Sequence, residues 1–126
     1  MMNVVPLDKS ALGLGIDLFN EGRYFDAHEA WEGPWLRAKD AQDKSLLQGL
    51  ILAAGAFLHA EKRECAGAVT LLAKSLPLLR SGVDAHPDLL LCDFIQALEQ
   101  IESDKDWCAT GTGALDAPKI RRAPFA

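Results

Sequence analysis

This sequence is poor in the residues that build strands. Valine and isoleucine are scarce, leucine and alanine are abundant, and no stretch alternates apolar with polar as a half-buried strand would. A basic excess is missing too: the formal net charge is −5, which argues against DNA or RNA as a partner, because phosphate binding needs a basic face. Nor is there an apolar run of the about 20 residues that a bilayer demands. The longest, "LLQGLILAAGAFL", holds 13 residues and carries Gln48 in its midst, so it reads as a central buried helix. Membrane partners are accordingly not expected. The cysteines Cys65, Cys92 and Cys108 are odd in number and form no CxxC pair, excluding a zinc ribbon and a dithiol redox motif. They read as small apolar fillers in a reducing cytoplasm. "MMNVVPLDKS" lacks the basic start and apolar run of a secretory signal.

What is present fits one folded domain. The 126 residues suffice for a single real core. Hydrophobic residues at 49% against 25% charged set the chain apart from disordered sequences. Turn signals fall at helical spacing. Asp8 or Ser10 caps a first helix to about Asn20, with Leu12, Ile16 and Phe19 on one stripe. Gly22 in "NEGRY" supplies the positive φ that ends a helix. A second helix starts near Tyr24 and reaches Gly33 or Arg37, with a kink or an early stop at Pro34. A third spans about Gln42 to Lys62 and a fourth about Ala66 to Arg80, with Pro77 distorting its last turn. Pro87 suits the first position of a fifth, which runs to about Glu102. The expected architecture is all-α, a compact bundle of about five helices built from antiparallel helical hairpins. It occupies 8–103, with a C-terminal loop and basic tail over 104–126. That tail either frays along the surface or docks through Ile120 and Phe125 onto its own domain or a partner subunit.

A faint internal echo runs through the chain. "EGRYFDAHEAW" and "KRECAGAVTLL" each place a turn, an alanine and an apolar helix face, 41 residues apart. The first copy resembles the turn of a tetratricopeptide hairpin. Two such copies make hairpins rather than a stacked array, which needs at least three units.

The chemistry concentrates in the second helix. Tyr24, Ala27, His28, Trp31, Glu32 and Trp35 fall at the spacing of one helix face, so two ionisable groups one turn apart share the expected core stripe with two tryptophans. Asp26, Glu29, Gly33 and Arg37 fall elsewhere. An inward Glu32 demands partners, since an unpaired buried polar group costs about 1–3 kcal/mol. If the second and third helices are antiparallel, residues whose numbers add to about 80 lie level. That sets Gln48 opposite Glu32 and predicts a buried polar cluster of His28, Glu32 and Gln48. Gly49, Ala53 and Ala56 form a small-residue track able to admit Trp31 and Trp35.

"FNEGRYFDAHEAWEGPW" followed by "LLQGLILAAGAFLH" resembles the DUF309 family of small helical bacterial and archaeal proteins. The shared pattern is a histidine, a glutamate four residues on and an aromatic three further, here His28, Glu32 and Trp35. Gln48, Gly49 and His59 correspond to its second block. The resemblance covers about Leu14 to Leu79 and implies an α-helical fold and a role in metal binding.

Two readings of the pair follow. In one, His28 and Glu32 ligate a divalent transition metal such as zinc, manganese, iron or nickel, with Gln48 and His59 as further donors. A bound metal would acidify a water and support hydrolysis. Whether the chain is an enzyme stays open, as does the identity of a small ligand. HExxH is excluded because Glu32 stands where the second histidine would be, and no histidine follows a glutamate by three residues as a di-iron site requires. His59 lies roughly 10 Å along the axis from His28 in this register and reads first as a solvated helix-end histidine. His86 opens the fifth helix and has no assigned place relative to the pair. In the other reading, the chain is a helical interaction or assembly module, a homo-oligomer among its forms, and His28, Glu32 and Gln48 are a structural hydrogen-bond cluster.

Overall fold

Leucine and alanine at helical spacing produce five helices: α1 (Lys9–Asn20), α2 (Tyr24–Arg37), α3 (Ala41–Glu61), α4 (Cys65–Ser81) and α5 (Leu91–Glu102). They are seen in a computed structural model that describes residues 9–110 and 117–124. Among the described residues there is no strand beyond an isolated antiparallel bridge between Leu89 and Arg122. No described helix is long and apolar enough to cross a membrane.

Two hairpins, α1–α2 and α3–α4, turn by the same device. Gly22 takes φ +81°, its N–H donates to Phe19 O (2.9 Å), and Arg23 N–H reaches back to Leu18 O (2.9 Å). In the second hairpin Arg63 takes φ +61°, its N–H donates to Ala60 O (3.0 Å), and Glu64 N–H reaches His59 O (2.9 Å). Both arrangements satisfy the last carbonyls of a helix through a left-handed residue. Their 41-residue offset is that of the sequence echo. Asp40 starts α3 by accepting from Asp43 N–H at 3.0 Å, a side-chain N-cap.

The core is built on rings. Phe19 lies 5.2 Å from Tyr24, 6.0 Å from Trp31, 6.2 Å from Phe57 and 5.7 Å from Phe94, centroid to centroid, so α1, α2, α3 and α5 meet on one side chain. Gly49, one of the expected small-residue track, faces α4 and not the tryptophans of α2. A Cβ on Gly49 would stand 2.8 Å from the Leu79 side chain and 2.9 Å from its backbone nitrogen. Trp31 instead fills the space over Gly15 of α1, where a Cβ would lie 2.1 Å from the indole nitrogen. The α2–α3 register holds, since Lys44 Nζ stands 5.5 Å over the Trp35 ring, residues whose numbers add to 79.

Three expectations are corrected. Pro34 neither stops nor shortens α2, which runs on to Arg37 with Pro34 buried. Pro87 does not open α5, which begins at Leu91. The backbone at 88–90 pairs with the end of the chain instead, Leu90 N–H donating to Arg121 O (2.8 Å) and Ala123 N–H to Asp88 O (2.7 Å). Cys65 and Cys108 are not separate fillers but a disulfide across 43 residues, a pairing that spacing alone cannot reveal. Cys92 is free and exposed.

The segment after α5 returns over both hairpin turns. Trp107, Cys108 and Ile120 are buried. Asn20 holds Ile120 by both backbone groups, at 2.8 and 2.9 Å, and Tyr24 Oη accepts from Ala117 N–H at 3.2 Å. Ile120 therefore docks on its own domain. Phe125, its expected companion, and Asp8, the expected cap, lie outside the described residues.

Candidate metal site on the second helix

The inward face of α2 is set by Tyr24, Ala27, Trp31 and Pro34, all buried. Including Pro34 moves the centre of that face away from Glu32. At about 100° per residue Glu32 sits roughly 120° off the centre, and it is exposed. The expectation that Glu32 points inward is thus corrected. His28 and Trp35 flank the buried line and are half-buried. Trp31 is structural: fully buried, it donates from Nε1 to Leu12 O at 3.1 Å.

The buried cluster of His28, Glu32 and Gln48 does not form. Gln48 is half-buried, and among the described residues no hydrogen bond joins the three. His28 Nδ1 is shut off from solvent and has no hydrogen-bond partner. That is unusual for a polar atom in a folded protein, where most buried ones are satisfied.

A different constellation takes shape around the same histidine. His28, Glu29 and Glu32 each offer a donor atom, and these lie within 4.8 Å of one another. Glu29, read from the wheel as pointing elsewhere, belongs to this group because Glu32, three residues on, lies with it on the exposed side of α2. His28 Nδ1 stands 3.6 Å from Glu29 Oε2. Donors about 2.1 Å from a tetrahedral zinc stand about 3.4 Å apart, so this spacing is close to a shared coordination edge.

The other histidines are engaged elsewhere. His59 Nδ1 is 2.8 Å from Glu64 Oε1 at the α3–α4 turn, a local pairing that gives it a role outside the α2 group. His86, buried in the α4–α5 connection, hydrogen-bonds through Nε2 to Asp43 Oδ1 at 3.0 Å. Sequence reasoning missed that pair. The residues are 43 positions apart and share no periodicity, so no local signal announced it.

The α2 group sits on an open helix face. Two surface hollows lie elsewhere: one of about 250 Å³ is bounded by Arg80, Cys92 and Glu99 between α4 and α5, and one of about 160 Å³ by Asn20, Tyr24 and Lys119 at the first turn. Neither is lined by His28, Glu29 or Glu32.

Residues 12–71 match the family model DUF309, described as a domain of unknown function. The matched span holds both hairpin turns and the whole α2 group, and it ends before His86, α5 and Cys108. No curated protein and no solved structure matches the chain.

Proposed function

We propose that this chain, which over residues 12–71 belongs to the DUF309 family, binds a divalent transition metal through His28, Glu29 and Glu32. The observation that carries the reading is the convergence of three donors within 4.8 Å of one another, one of them from a histidine whose Nδ1 makes no hydrogen bond among the described residues. One imidazole and two carboxylates suit zinc, manganese, iron or nickel. Three protein donors leave at least one coordination position for water or another ligand. A metal-bound water would be acidified and available for hydrolysis.

Gln48 and His59 are weaker candidates. Gln48 makes no hydrogen bond that would aim it at the group, and His59 is already paired with Glu64. The cytoplasmic setting expected from three separate thiols loses that support, since the Cys65–Cys108 disulfide is a bond that persists in oxidising compartments.

Elemental analysis of protein purified without a metal-affinity tag tests the proposal. Expected is a stoichiometric transition metal in the unaltered chain, lost in His28→Ala with helical content unchanged. A metal-free chain that also fails to take up zinc or manganese at micromolar concentration would sink the reading. A second reading, an assembly module, is favoured by one observation: Phe25 and Leu36 on the outer face of α2 are large, apolar and exposed.

A further inference from the structure

The surroundings of the three donors read the same in both directions. Phe25, Glu29, Glu32 and Leu36 follow one another at i, i+4, i+7 and i+11 along the outer face of α2. Phe25 is 56% and Leu36 65% exposed. From either end the order is apolar, acidic, acidic, apolar. A second α2 laid antiparallel across a twofold axis between residues 30 and 31 sets residue i opposite residue 61 − i. Phe25 then meets the partner's Leu36 at both ends, and Glu29 meets the partner's Glu32 on both sides of the centre. His28 falls opposite the partner's Gly33, over which the guanidinium of that copy's Arg37 lies and must swing aside.

We propose that this face is a twofold interface between two copies of the chain, closed by divalent metal ions that His28, Glu29 and Glu32 of both copies hold jointly. The inference rests on the metal reading above and adds the partner that completes the site. One chain supplies three donors, fewer than a closed tetrahedral or octahedral shell requires. The second copy supplies carboxylates at the open positions. An α2 pair of 14 residues each presents a face about 21 Å long, small against the roughly 800 Å² per partner of a stable interface. Contact alone is therefore weak, and the ions provide the missing attraction.

Charge makes the association conditional. Without ions the face brings four carboxylates together, and Arg37 lies beside them on the same helix. Its guanidinium lies 3.1 Å from where a Cβ on Gly33 would stand. Like charges placed opposite one another oppose pairing. Ions reverse the sign of that interaction, and the apolar contacts at either end keep water from the centre, which strengthens it.

The test is sedimentation velocity on the full chain, stripped with EDTA and then given zinc or manganese. Expected is a monomer in EDTA and a dimer once about one ion per chain is bound. The double variant Phe25→Ser/Leu36→Ser removes only exposed side chains; it should keep its fold and stay monomeric. It should still take up the ion, with affinity weakened about a hundredfold by loss of the second copy's ligands. An unaltered chain that is saturated with metal yet monomeric overturns this inference and leaves the metal site standing. A chain that neither binds metal nor dimerises overturns both. A dimer that persists in EDTA, or one formed equally well by the double variant, also overturns the inference.

Discussion

The two hairpins share a turn and differ in what they display. Shifting α1–α2 by 41 residues superimposes Gly22 on Arg63 and Ala27, Trp31 and Pro34 on Ala68, Leu72 and Ser75, every member of those last two triplets buried. The outer faces diverge. Where α2 carries Phe25, Glu29, Glu32 and Leu36, α4 carries Ala66, Thr70, Ala73 and Pro77, all exposed and none able to ligate through a nitrogen or carboxylate. His28 is matched by Val69. One scaffold is used twice, and the chemistry is confined to the first copy. A fold repeat therefore does not imply a repeated site.

The interiors differ as well. The first hairpin is filled by an indole lying over Gly15, the second by close approach of two backbones at Gly49 and Leu79. Trp31→Ala should be the most damaging change, costing about 3–5 kcal/mol in urea unfolding and freeing the Leu12 carbonyl that the indole satisfies. Leu72→Ala, at the equivalent position, should cost less, about 2–4 kcal/mol. The reverse order would mean that the second hairpin, not the aromatic one, dominates the core.

Both hairpins also anchor the C-terminal segment through the first residue of their second helix, Tyr24 to Ala117 and Cys65 to Cys108. Closing 43 residues corresponds to about 4 kcal/mol in the chain-entropy account. Cys65→Ala/Cys108→Ala should then lower the urea midpoint by the equivalent of about 2–4 kcal/mol. Tyr24→Phe, which removes one hydrogen bond, should cost about 1 kcal/mol. Equal losses would show that the covalent link adds nothing to the docking.

The turns give a smaller contrast. Gly22→Ala places a Cβ in a left-handed conformation and should cost about 1 kcal/mol. Arg63 already bears such a penalty, so Arg63→Ala should change stability by less than Gly22→Ala in the same assay. The smallest effect on stability is expected at the site. Glu32→Gln, exposed, should shift unfolding by less than about 0.5 kcal/mol while weakening zinc uptake in a competition titration. Stability falling as far as in Tyr24→Phe would argue that Glu32 belongs to the fold.

The helices were legible because leucine, alanine and glycine mark a 3.6-residue period and its ends directly. Gly22 and the "KRECAG" turn announced both hairpins. What the sequence hid depends on contacts between distant residues. The start of α5 moved to Leu91 because residues 88–90 pair with residues near 122, which no local signal near Pro87 reveals. The facing of Glu32 was misread because the stripe was drawn through His28, Glu32 and Trp35, whereas the buried line runs through Tyr24, Ala27, Trp31 and Pro34. His28 and Glu32 lie one turn apart, and their donor atoms fall in one group with that of Glu29. Glu29 was passed over because a wheel assigned it to another face before the true centre was known.

The end of the chain closes what its beginning leaves open. Asn20 waits for a partner 100 residues downstream. At a synthesis rate of roughly 5–20 residues per second, that wait on the ribosome lasts about 5–20 s. During that interval both hairpins can form from contacts already made, while the amide of Asn20 and the rings behind it face water or a chaperone. The segment that seals the first helix thus emerges long after it, and a nascent protein halted before Ile120 would leave Asn20 without that pairing.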